Sequence, residues 1–321
     1  MPPNARILIL GKEGQVARAL RESLPAHGVE VSAIGRPEID LLEPQTAAKA
    51  ILAAAPSLVI LAAAYTAVDR AEDDADAART INAVAPGAVA EAAAEIGAPI
   101  VHFSTDYVFD GKKTSPYLED DTPAPLGVYG ATKLAGEAAV AEANPRHVIL
   151  RTAWVCSPTG SNFVKTILRL AAERPALRVV ADQYGVPTFA ADIARAVQLI
   201  AARLDADEPL GTRHWGLFHL ANEGLTTWHG FASAIVAGAA ARGLKPVPVE
   251  AIAAADYPAR ARRPGYSKLS TSKIADVYGV RMPAWQASLE TCLDTLLGPP
   301  GPAGTGHEAA ERPLAPHYRR S

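Results

Sequence analysis

Short apolar runs alternate with longer alanine-rich stretches through the first half of the chain. The apolar runs begin at positions 6, 29, 57, 99 and 147 and read RILIL, VEVSAI, SLVIL, PIVHFS and HVILRTAWV. Helical periodicity fills the intervals between them, near 14–26, 44–54 and 76–96, and resumes at about Tyr129. Alternating strands and helices are typical of right-handed βαβ units on a parallel sheet. The pattern therefore predicts an α/β fold with a doubly wound parallel sheet.

The second half of the chain is richer in turns. Segments such as SPTGSN, DQYGVPT and YPARARRPGYSKLS separate shorter elements after position 157, and loops carry ligands more often than scaffolds do. We predict a Rossmann-type dinucleotide-binding domain over 1–156, with returning segments near 178–203. A smaller C-terminal substrate-binding lobe is then mainly 157–297. The last stretch, 298–321, has glycine, proline and charge without apolar periodicity, which predicts a disordered tail.

Composition narrows the class of protein. The 321 residues are 49% hydrophobic, which is enough to bury a large core. Basic and acidic residues number 31 and 34, so the net charge of -3 argues against a nucleic-acid partner. The longest apolar passage, 51–65, is interrupted by Pro56 and is too short for a membrane span. The two cysteines match no metal spacing and the first residues do not resemble a signal peptide, so we expect a cytoplasmic protein without membrane partners.

A glycine pattern follows the first predicted strand directly. ILILGKEGQVARAL places Gly11, Gly14 and Ala17 at the start of a helix. Such glycines allow a tight turn and close approach to a pyrophosphate, whose charge the helix N-terminus stabilises. Alone the pattern also fits a simple turn between strand and helix. Its place at the first βα turn favours a dinucleotide site.

Two further segments bear on the cofactor. The second strand ends at AIGRPEIDL, which offers Arg36 where an acidic residue would bind the ribose of NAD. Arginine suits the 2′-phosphate of NADPH, so we predict NADPH with NADH as an alternative; a solvated loop arginine is the other interpretation. After the third strand, Ala62, Ala63 and Ala64 are small enough to lie against a cofactor or to pack a helix.

A tyrosine and a lysine lie four positions apart in YGATKLAGE. On a helix Tyr129 and Lys133 share one face, and a nearby lysine cation is expected to lower the pKa of the phenol. Ser104 and Thr105 end the fourth strand, where a hydroxyl can donate to a carbonyl oxygen as charge develops. Tyrosine and lysine at this spacing also occur on ordinary helix surfaces. Together with the glycine loop, they favour an acid–base pair for reduction of a ketone.

These motifs resemble the extended short-chain dehydrogenase/reductase family over about Arg6 to Leu297. The segments GKEGQVA, AAAYTAVDRAE, STDYVFDG, PLGVYGATKLAGE, RTAWV, DQYGVPT, TTWHGFA and ARRPGYSKL carry the resemblance. It implies a catalytic triad of Thr105, Tyr129 and Lys133. It also implies cofactor contacts from Gly11, Gly14, Gln15, Val16, Arg36, Asp40, Leu41, Ala62, Ala63, Ala64 and Lys133. The implied substrate contacts are Ser104, Thr105, Tyr129, Trp154, Asn162 and Arg263, although Trp154 also fits a core position and the ARARR run a solvated basic loop.

The resemblance implies NADPH-dependent reduction of the 4-keto group of a dTDP-linked 6-deoxyhexulose. An epimerase or dehydratase of the same fold is an alternative. Dehydratases usually carry an Asp-Glu pair after the strand-four hydroxyl, whereas Asp106 and Tyr107 follow Thr105 here. A second alternative is a non-catalytic NADP-binding subunit like the one that regulates methionine adenosyltransferase. The intact Thr105, Tyr129 and Lys133 argue against that alternative.

Four positions depart from the family pattern. Ala17 replaces the third loop glycine, and Cys156 stands where relatives often carry tyrosine, so the nearby substrate wall differs. Some relatives dimerise around magnesium held by glutamates, and the corresponding positions are Ala19 and Ala191. Alanine cannot ligate a cation that prefers oxygen. We therefore predict no structural metal and a monomer or weak homodimer.

Overall fold

A computed structural model describes residues 6–27, 29–204 and 211–300, so the predicted tail, 298–321, lies almost wholly outside the described residues. The strands, β1 to β12 in chain order, are Arg6–Leu10, Glu30–Ile34, Leu58–Leu61, Ile100–Thr105, His147–Thr152, Val155–Cys156, Leu177–Val180, Tyr184–Gly185, Thr188–Phe189, Gly216–His219, Thr226–Thr227 and Val249–Ile252. The helices, α1 to α11, are Gln15–Ser23, Pro44–Ala54, Val68–Ala71, Ala75–Arg79, Ala85–Glu95, Val128–Ala143, Phe163–Glu173, Ala190–Leu204, Trp228–Ala240, Ser272–Tyr278 and Trp285–Leu297. A π-helical turn, Thr80–Val84, joins α4 to α5.

The central sheet is parallel and has the strand order β10-β5-β4-β3-β1-β2. Its first five strands along the chain are those that the apolar runs predict, and the α/β, doubly wound class is confirmed. The sixth, β10, was not predicted. Because β1 lies between β2 and β3, the order of strands reverses beside it. Ligands bind at the carboxyl ends of parallel strands at such a switch point.

Alternate side chains of the central strands enter two different cores. Ile7 and Ile9 of β1 pack in one core with residues of α1, α8 and α10, whereas Leu8 and Leu10 pack in another with residues of α2 and α5. Successive side chains of a strand point to opposite faces, and helices cover both faces here. This explains why the strands are almost continuously apolar in sequence.

A third core lies in the C-terminal half. It contains residues of α7, α9 and α11, together with the paired strands β7 and β12, and includes Val164, Phe231 and Leu289. The strand β10 and the helix α10 fall within 157–297 and yet join the central sheet and its core. The division of the chain into a dinucleotide domain and a substrate lobe stays a prediction.

Two further features of the described residues concern the helices and the cysteines. None of the described helices is both long and apolar enough to cross a bilayer. Cys156 and Cys292 are free and buried. Burial raises the pKa of the Cys156 thiol well above its usual range and that of Cys292 to about 12. Both thiols are therefore held in the protonated, poorly nucleophilic form.

Candidate active site

A cleft of about 740 Å³ opens at the carboxyl ends of the sheet strands. Its walls come from the turn after β1, the loops after β2 and β3, the end of β4 and the first turns of α6. The predicted site residues that line it are Gly11, Gly14, Gln15, Val16, Arg36, Asp40, Leu41, Ala62, Ala63, Ala64, Ser104, Thr105, Tyr129, Lys133, Trp154 and Asn162. Arg263 is the predicted residue that does not line it. The fold thus brings segments that are far apart in sequence together at the carboxyl edge of the central sheet.

The glycine loop is shaped for close approach. Gly11 has a positive φ of 126°, and a Cβ there would lie 3.2 Å from the backbone nitrogen of Ala63. Its amide donates to the carbonyl of Ile34 at 2.7 Å, which fixes the turn to β2. At Gly14 a Cβ would meet nothing within 4 Å, so the N-terminus of α1 faces open space. A helix N-terminus with such space suits a pyrophosphate.

Gln15 and Asn162 contact each other across the cleft. The Asn162 side-chain nitrogen donates to Oε1 of Gln15 at 2.9 Å and to the Ser157 carbonyl at 2.7 Å. Oδ1 of Asn162 accepts from the Lys165 amide at 3.2 Å and caps α7. A residue predicted for the cofactor and one predicted for the substrate therefore form one link between the two halves of the chain.

The loop after β2 carries Arg36, Asp40 and Leu41. The Arg36 side chain is exposed at the rim of the cleft, and Leu41 is buried. Oδ1 of Asp40 accepts from the Leu42 amide at 3.0 Å, and the Asp40 amide donates to the Thr46 hydroxyl at 3.0 Å. These hydrogen bonds fix the conformation of the loop that precedes α2.

Two glycines let α6 pack closely, Gly130 on the turn after β4 and Gly136 on the π-helical turn Thr80–Val84. A Cβ on Gly130 would overlap the carbonyl oxygen of Tyr107, and one on Gly136 would overlap that of Asn82. The Thr105 hydroxyl accepts from the Tyr107 amide at 3.2 Å and donates to Asp106 at 3.1 Å. Close packing of the helix on this turn brings Tyr129 to the Thr105 hydroxyl.

Lys133 is buried one helical turn beyond Tyr129. Its ammonium Nζ donates to the Phe103 carbonyl at 2.7 Å and lies 3.5 Å from Nε2 of His102. Burial lowers the pKa of Lys133 to about 8, although the neighbouring Glu137 carboxylate acts in the opposite direction. The backbone of β4 thus fixes this side chain at the cleft floor.

The prediction that the pKa of Tyr129 lies below its usual value is wrong. Burial raises the pKa of Tyr129 to about 12. The hydrogen bond with Thr105 lowers the pKa, whereas the Asp106 carboxylate raises it. Spacing alone does not reveal that the half-buried phenol loses much of its hydration in the assembled cleft. Tyr129 therefore keeps its proton at neutral pH and is available as an acid.

Asp106 is a site residue that the sequence reasoning did not select. It lines the cleft directly after Thr105 and is buried, and burial raises its pKa to about 6. Its Oδ2 is closed to solvent and has no partner within hydrogen-bond distance among the described residues, while the nearby Ser267 and Thr105 hydroxyls oppose the rise in the pKa. A buried carboxyl with a displaced pKa in a cleft is a candidate functional group. Its position beside Thr105 in STDYVFDG was the available signal.

Replacing Asp106 by asparagine is expected to stabilise the protein above pH 6. The folded-state pKa of about 6 lies above the usual 3.8, so the native state binds more protons and loses stability as pH rises through this window. Asparagine carries no charge to bury. We expect the free energy of unfolding of Asp106→Asn to exceed that of wild type by about 2 to 3 kcal/mol at pH 8. The difference should fall to about 0.5 kcal/mol at pH 4, as measured by urea unfolding at both pH values. An equal difference at both would contradict this explanation.

Trp154 forms an aromatic wall with Trp228. The two indole rings stack with centroids 3.5 Å apart and an interplanar angle of 9°. Trp154 has a positive φ of 45°, and a Cβ on Gly185 would lie 2.6 Å from its ring. Both tryptophans line the cleft. Trp228, at the start of α9, was missed because its role comes from contact with a distant segment.

Arg263 lies outside the cleft lining but next to Tyr107, which belongs to that lining, and its contact with substrate stays a prediction. Its guanidinium donates to both carboxylate oxygens of Asp69, at 3.1 and 2.7 Å. This hydrogen bonding holds the pKa of Asp69 below its usual value. Asp69 belongs to α3, and its Oδ1 also accepts from the Ala261 amide at 3.0 Å. The guanidinium of Arg263, which was predicted to contact the substrate, thus connects the 257–267 loop to α3.

Ala19 and Ala191 lie together in a second cavity of about 500 Å³. Buried Asp192 also lines it, and its carboxylate accepts from the Asn222 amide at 2.8 Å and from the Ser288 hydroxyl at 2.5 Å. Among the described residues no cluster of three histidine, cysteine or acidic side chains could hold a metal ion. The absence of a structural metal and the oligomeric state stay predictions.

Fold and site together define a short-chain dehydrogenase/reductase that binds a nicotinamide dinucleotide: a glycine loop at the switch point of a doubly wound sheet, with Tyr129 and Lys133 beside Thr105. The family model described as RmlD substrate binding domain matches residues 5–297. The chain belongs to this family, that of the dTDP-4-dehydrorhamnose reductases. The resemblance seen in the sequence motifs is confirmed.

Named relatives and solved structures agree with this assignment. The dTDP-4-dehydrorhamnose reductase of Sinorhizobium fredii is 45% identical over 292 residues, which cover 91% of this chain and 98% of that protein. The crystal structure of the Clostridium acetobutylicum enzyme is 36% identical with a TM-score of 0.84. That of the Bacillus anthracis enzyme, in complex with NADP, is 33% identical with the same TM-score of 0.84. Each structure aligns with 91% of this chain and with 99% of its own length.

Proposed function

We propose that the protein reduces the 4-keto group of dTDP-4-dehydrorhamnose with NADPH and so forms dTDP-L-rhamnose. The observation that carries the proposal is the grouping of Thr105, Tyr129 and Lys133 in the cleft that the glycine loop also lines. It occurs in a chain that matches named dTDP-4-dehydrorhamnose reductases over nine-tenths of its length. The reaction class follows from the site, and the sugar follows from the family.

The cleft fits the cofactor. The open space at Gly14 and the α1 N-terminus would take the pyrophosphate. Arg36 at the rim would face the 2′-phosphate, and the wall from Ala62 to Ala64 leaves room for the dinucleotide against the sheet. Lys133 would hold the nicotinamide ribose. When bound, the reduced nicotinamide supplies the hydride that the carbonyl carbon accepts.

The chain's own residues complete the reduction. The Thr105 hydroxyl would donate a hydrogen bond to the carbonyl oxygen, whose negative charge grows as the ketone is reduced. Tyr129 holds its proton at neutral pH because burial raises its pKa to about 12. An alkoxide is a stronger base than a phenolate, so transfer of that proton to the oxygen is favourable. The Lys133 ammonium would then stabilise the phenolate until solvent restores the proton.

Two rival functions are less well supported. An epimerase or dehydratase of the same fold would recycle its dinucleotide, and the acidic pair typical of the dehydratases is replaced by Asp106 and Tyr107. A regulatory NADP-binding subunit would not need its catalytic residues. Thr105, Tyr129 and Lys133 are intact and lie in one cleft, which favours catalysis.

The proposal predicts rapid loss of NADPH absorbance with the right sugar. The purified protein would receive NADPH and dTDP-4-keto-6-deoxyglucose, with a 3,5-epimerase to generate the substrate in the same cuvette. Oxidation that requires both the protein and the epimerase would support the rhamnose step, and NADH in a parallel cuvette would report cofactor preference. Absence of oxidation while NADPH still binds would contradict the proposal and favour another nucleotide-sugar or a regulatory role.

We further propose that the enzyme works in the cytoplasm as a monomer or weak homodimer. The free, buried cysteines fit a reducing compartment. Ala19 and Ala191, where some relatives hold magnesium between subunits, offer no oxygen ligand. Size-exclusion chromatography with light scattering, with and without magnesium, would test the second statement.

A further inference from the structure

An ion pair spans the rim of the cofactor cleft. The Lys12 ammonium lies 2.6 Å from Oε1 of Glu38 and donates a hydrogen bond to it. Lys12 follows Gly11 in the loop after β1, whereas Glu38 lies in the loop after β2. The pair therefore joins the phosphate loop to the segment that contains Arg36.

A glycine in the loop after β2 leaves room for the Lys12 side chain to reach Glu38. A Cβ on Gly35 would lie 3.2 and 3.3 Å from Cγ and Cδ of the Lys12 side chain. The lysine stem thus crosses directly over Gly35 before its ammonium meets Glu38. Lys12, Gly35 and Arg36 all line the cleft. This geometry brings a second cation to the side of the cleft where Arg36 lies.

The end of the second strand is where the adenosine ribose of a dinucleotide lies. An acidic residue there suits the 2′-hydroxyl of NADH, and a cation suits the 2′-phosphate of NADPH. The cations Lys12 and Arg36 line the cleft here, and Glu38 is the carboxylate that contacts Lys12. Glu13 and Asp40, which also line the cleft, have other partners, Arg18 and the Leu42 amide. The Glu38 carboxylate neutralises one of the cations before any cofactor arrives.

We propose that Glu38 sets the preference between NADPH and NADH by competing with the 2′-phosphate for the Lys12 ammonium. With NADPH, Lys12 leaves Glu38 and joins Arg36 on the phosphate. With NADH, Lys12 stays on Glu38, whose second oxygen accepts from the ribose hydroxyl. The inference rests on the proposed nicotinamide dinucleotide function but not on the identity of the sugar.

Such an exchange of partners is physically accessible. The two side chains are 29% and 49% exposed, and ion pairs in contact with solvent are weak. A phosphate group carries up to two charges and three acceptor oxygens, so it attracts an ammonium more strongly than one carboxylate does. Lys12 can therefore move from Glu38 to the phosphate. Because it must leave Glu38 to do so, the contact adds less to the affinity for NADPH than it would without this carboxylate.

The test measures cofactor affinity without any sugar. Dissociation constants for NADPH and NADH would be obtained from cofactor fluorescence in wild type, Glu38→Gln, Lys12→Met and the double variant. We expect Glu38→Gln to raise the NADPH-to-NADH affinity ratio about fivefold, the scale of one surface ion pair. In the Lys12→Met background the same change should no longer strengthen NADPH binding. The fragments 2′,5′-ADP and 5′-ADP would show whether the difference arises at the 2′-phosphate.

A matched control separates this mechanism from a general charge effect. Glu30 begins β2 at the far end of the strand and is exposed, so Glu30→Gln removes the same charge away from the rim. It should leave the ratio unchanged. A ratio unaltered by Glu38→Gln, or altered equally with and without Lys12, would overturn the proposal. Because only binding is measured, that outcome leaves the reductase assignment intact, and a failed turnover assay leaves this test valid.

Discussion

A Tyr129→Phe variant is expected to bind NADPH as wild type does and to lose about a hundredfold to ten-thousandfold in kcat. That range is the usual contribution of a positioned general acid. The ring of Tyr129 packs edge-on against Tyr107 with centroids 5.5 Å apart, and phenylalanine keeps this contact. What is lost is the proton donor and its hydrogen bond with Thr105. Stopped-flow NADPH oxidation together with cofactor titration would measure both quantities.

A second phenol provides the control. Tyr117 is buried in a separate small core, where its hydroxyl donates to Asp110 at 3.0 Å. Tyr117→Phe also removes one buried hydroxyl and should change stability while kcat stays near the wild-type value. If Tyr129→Phe kept more than half of the wild-type kcat, the phenol would not be the acid. Equal losses in the two variants would show a structural effect only.

An Arg151→Met variant is expected to lose about 3 to 5 kcal/mol of unfolding free energy, the cost of leaving a buried charge unpaired. Arg151 of β5 donates to both carboxylate oxygens of Glu137 on α6, at 2.8 and 2.6 Å. The two side chains are only 2% and 7% exposed. Ser104 donates to the same carboxylate at 2.5 Å. The pair thus ties β4, β5 and α6 together beneath the cleft.

Chemical denaturation would measure this loss against an exposed pair. Arg169 and Glu173 lie on α7 at 2.8 Å and are 51% and 53% exposed, so Arg169→Met should cost less than about 1 kcal/mol. Adding Glu137→Leu to Arg151→Met removes the stranded carboxylate and should recover most of the loss. Similar losses of unfolding free energy in Arg151→Met and Arg169→Met would show that the buried pair contributes no more to stability than the exposed pair does.

The sequence was most informative where one segment decides its own structure. The first five strands were predicted because each is an apolar run between helices; four of them are largely buried, and β2 is the partly exposed edge strand. The strand β10, Gly216–His219, has only four residues and pairs with β5 far back in the chain. Short strands fixed by distant partners leave little periodicity to detect.

The same distinction holds for the site. The glycine loop, the Tyr129 and Lys133 pair and Thr105 were found because local spacing defines them. The burial of each side chain, its hydrogen-bond partners and the charges near it depend on the assembled fold. For this reason the pKa of Tyr129 was expected to move in the wrong direction, and the attachment of Arg263 to Asp69 could not be foreseen.

The left-handed backbone of Trp154 shows how the aromatic wall is maintained during evolution. A non-glycine residue at a φ of 45° costs on the order of 1 to 3 kcal/mol and persists where its surroundings enforce it. Glycine at this position would relieve the strain but would remove the indole that stacks on Trp228 and packs against the C-terminal core. Loss of a packed tryptophan costs about 3 to 5 kcal/mol, so selection for thermostability alone would retain the indole. At position 154 stability and activity therefore favour the same residue.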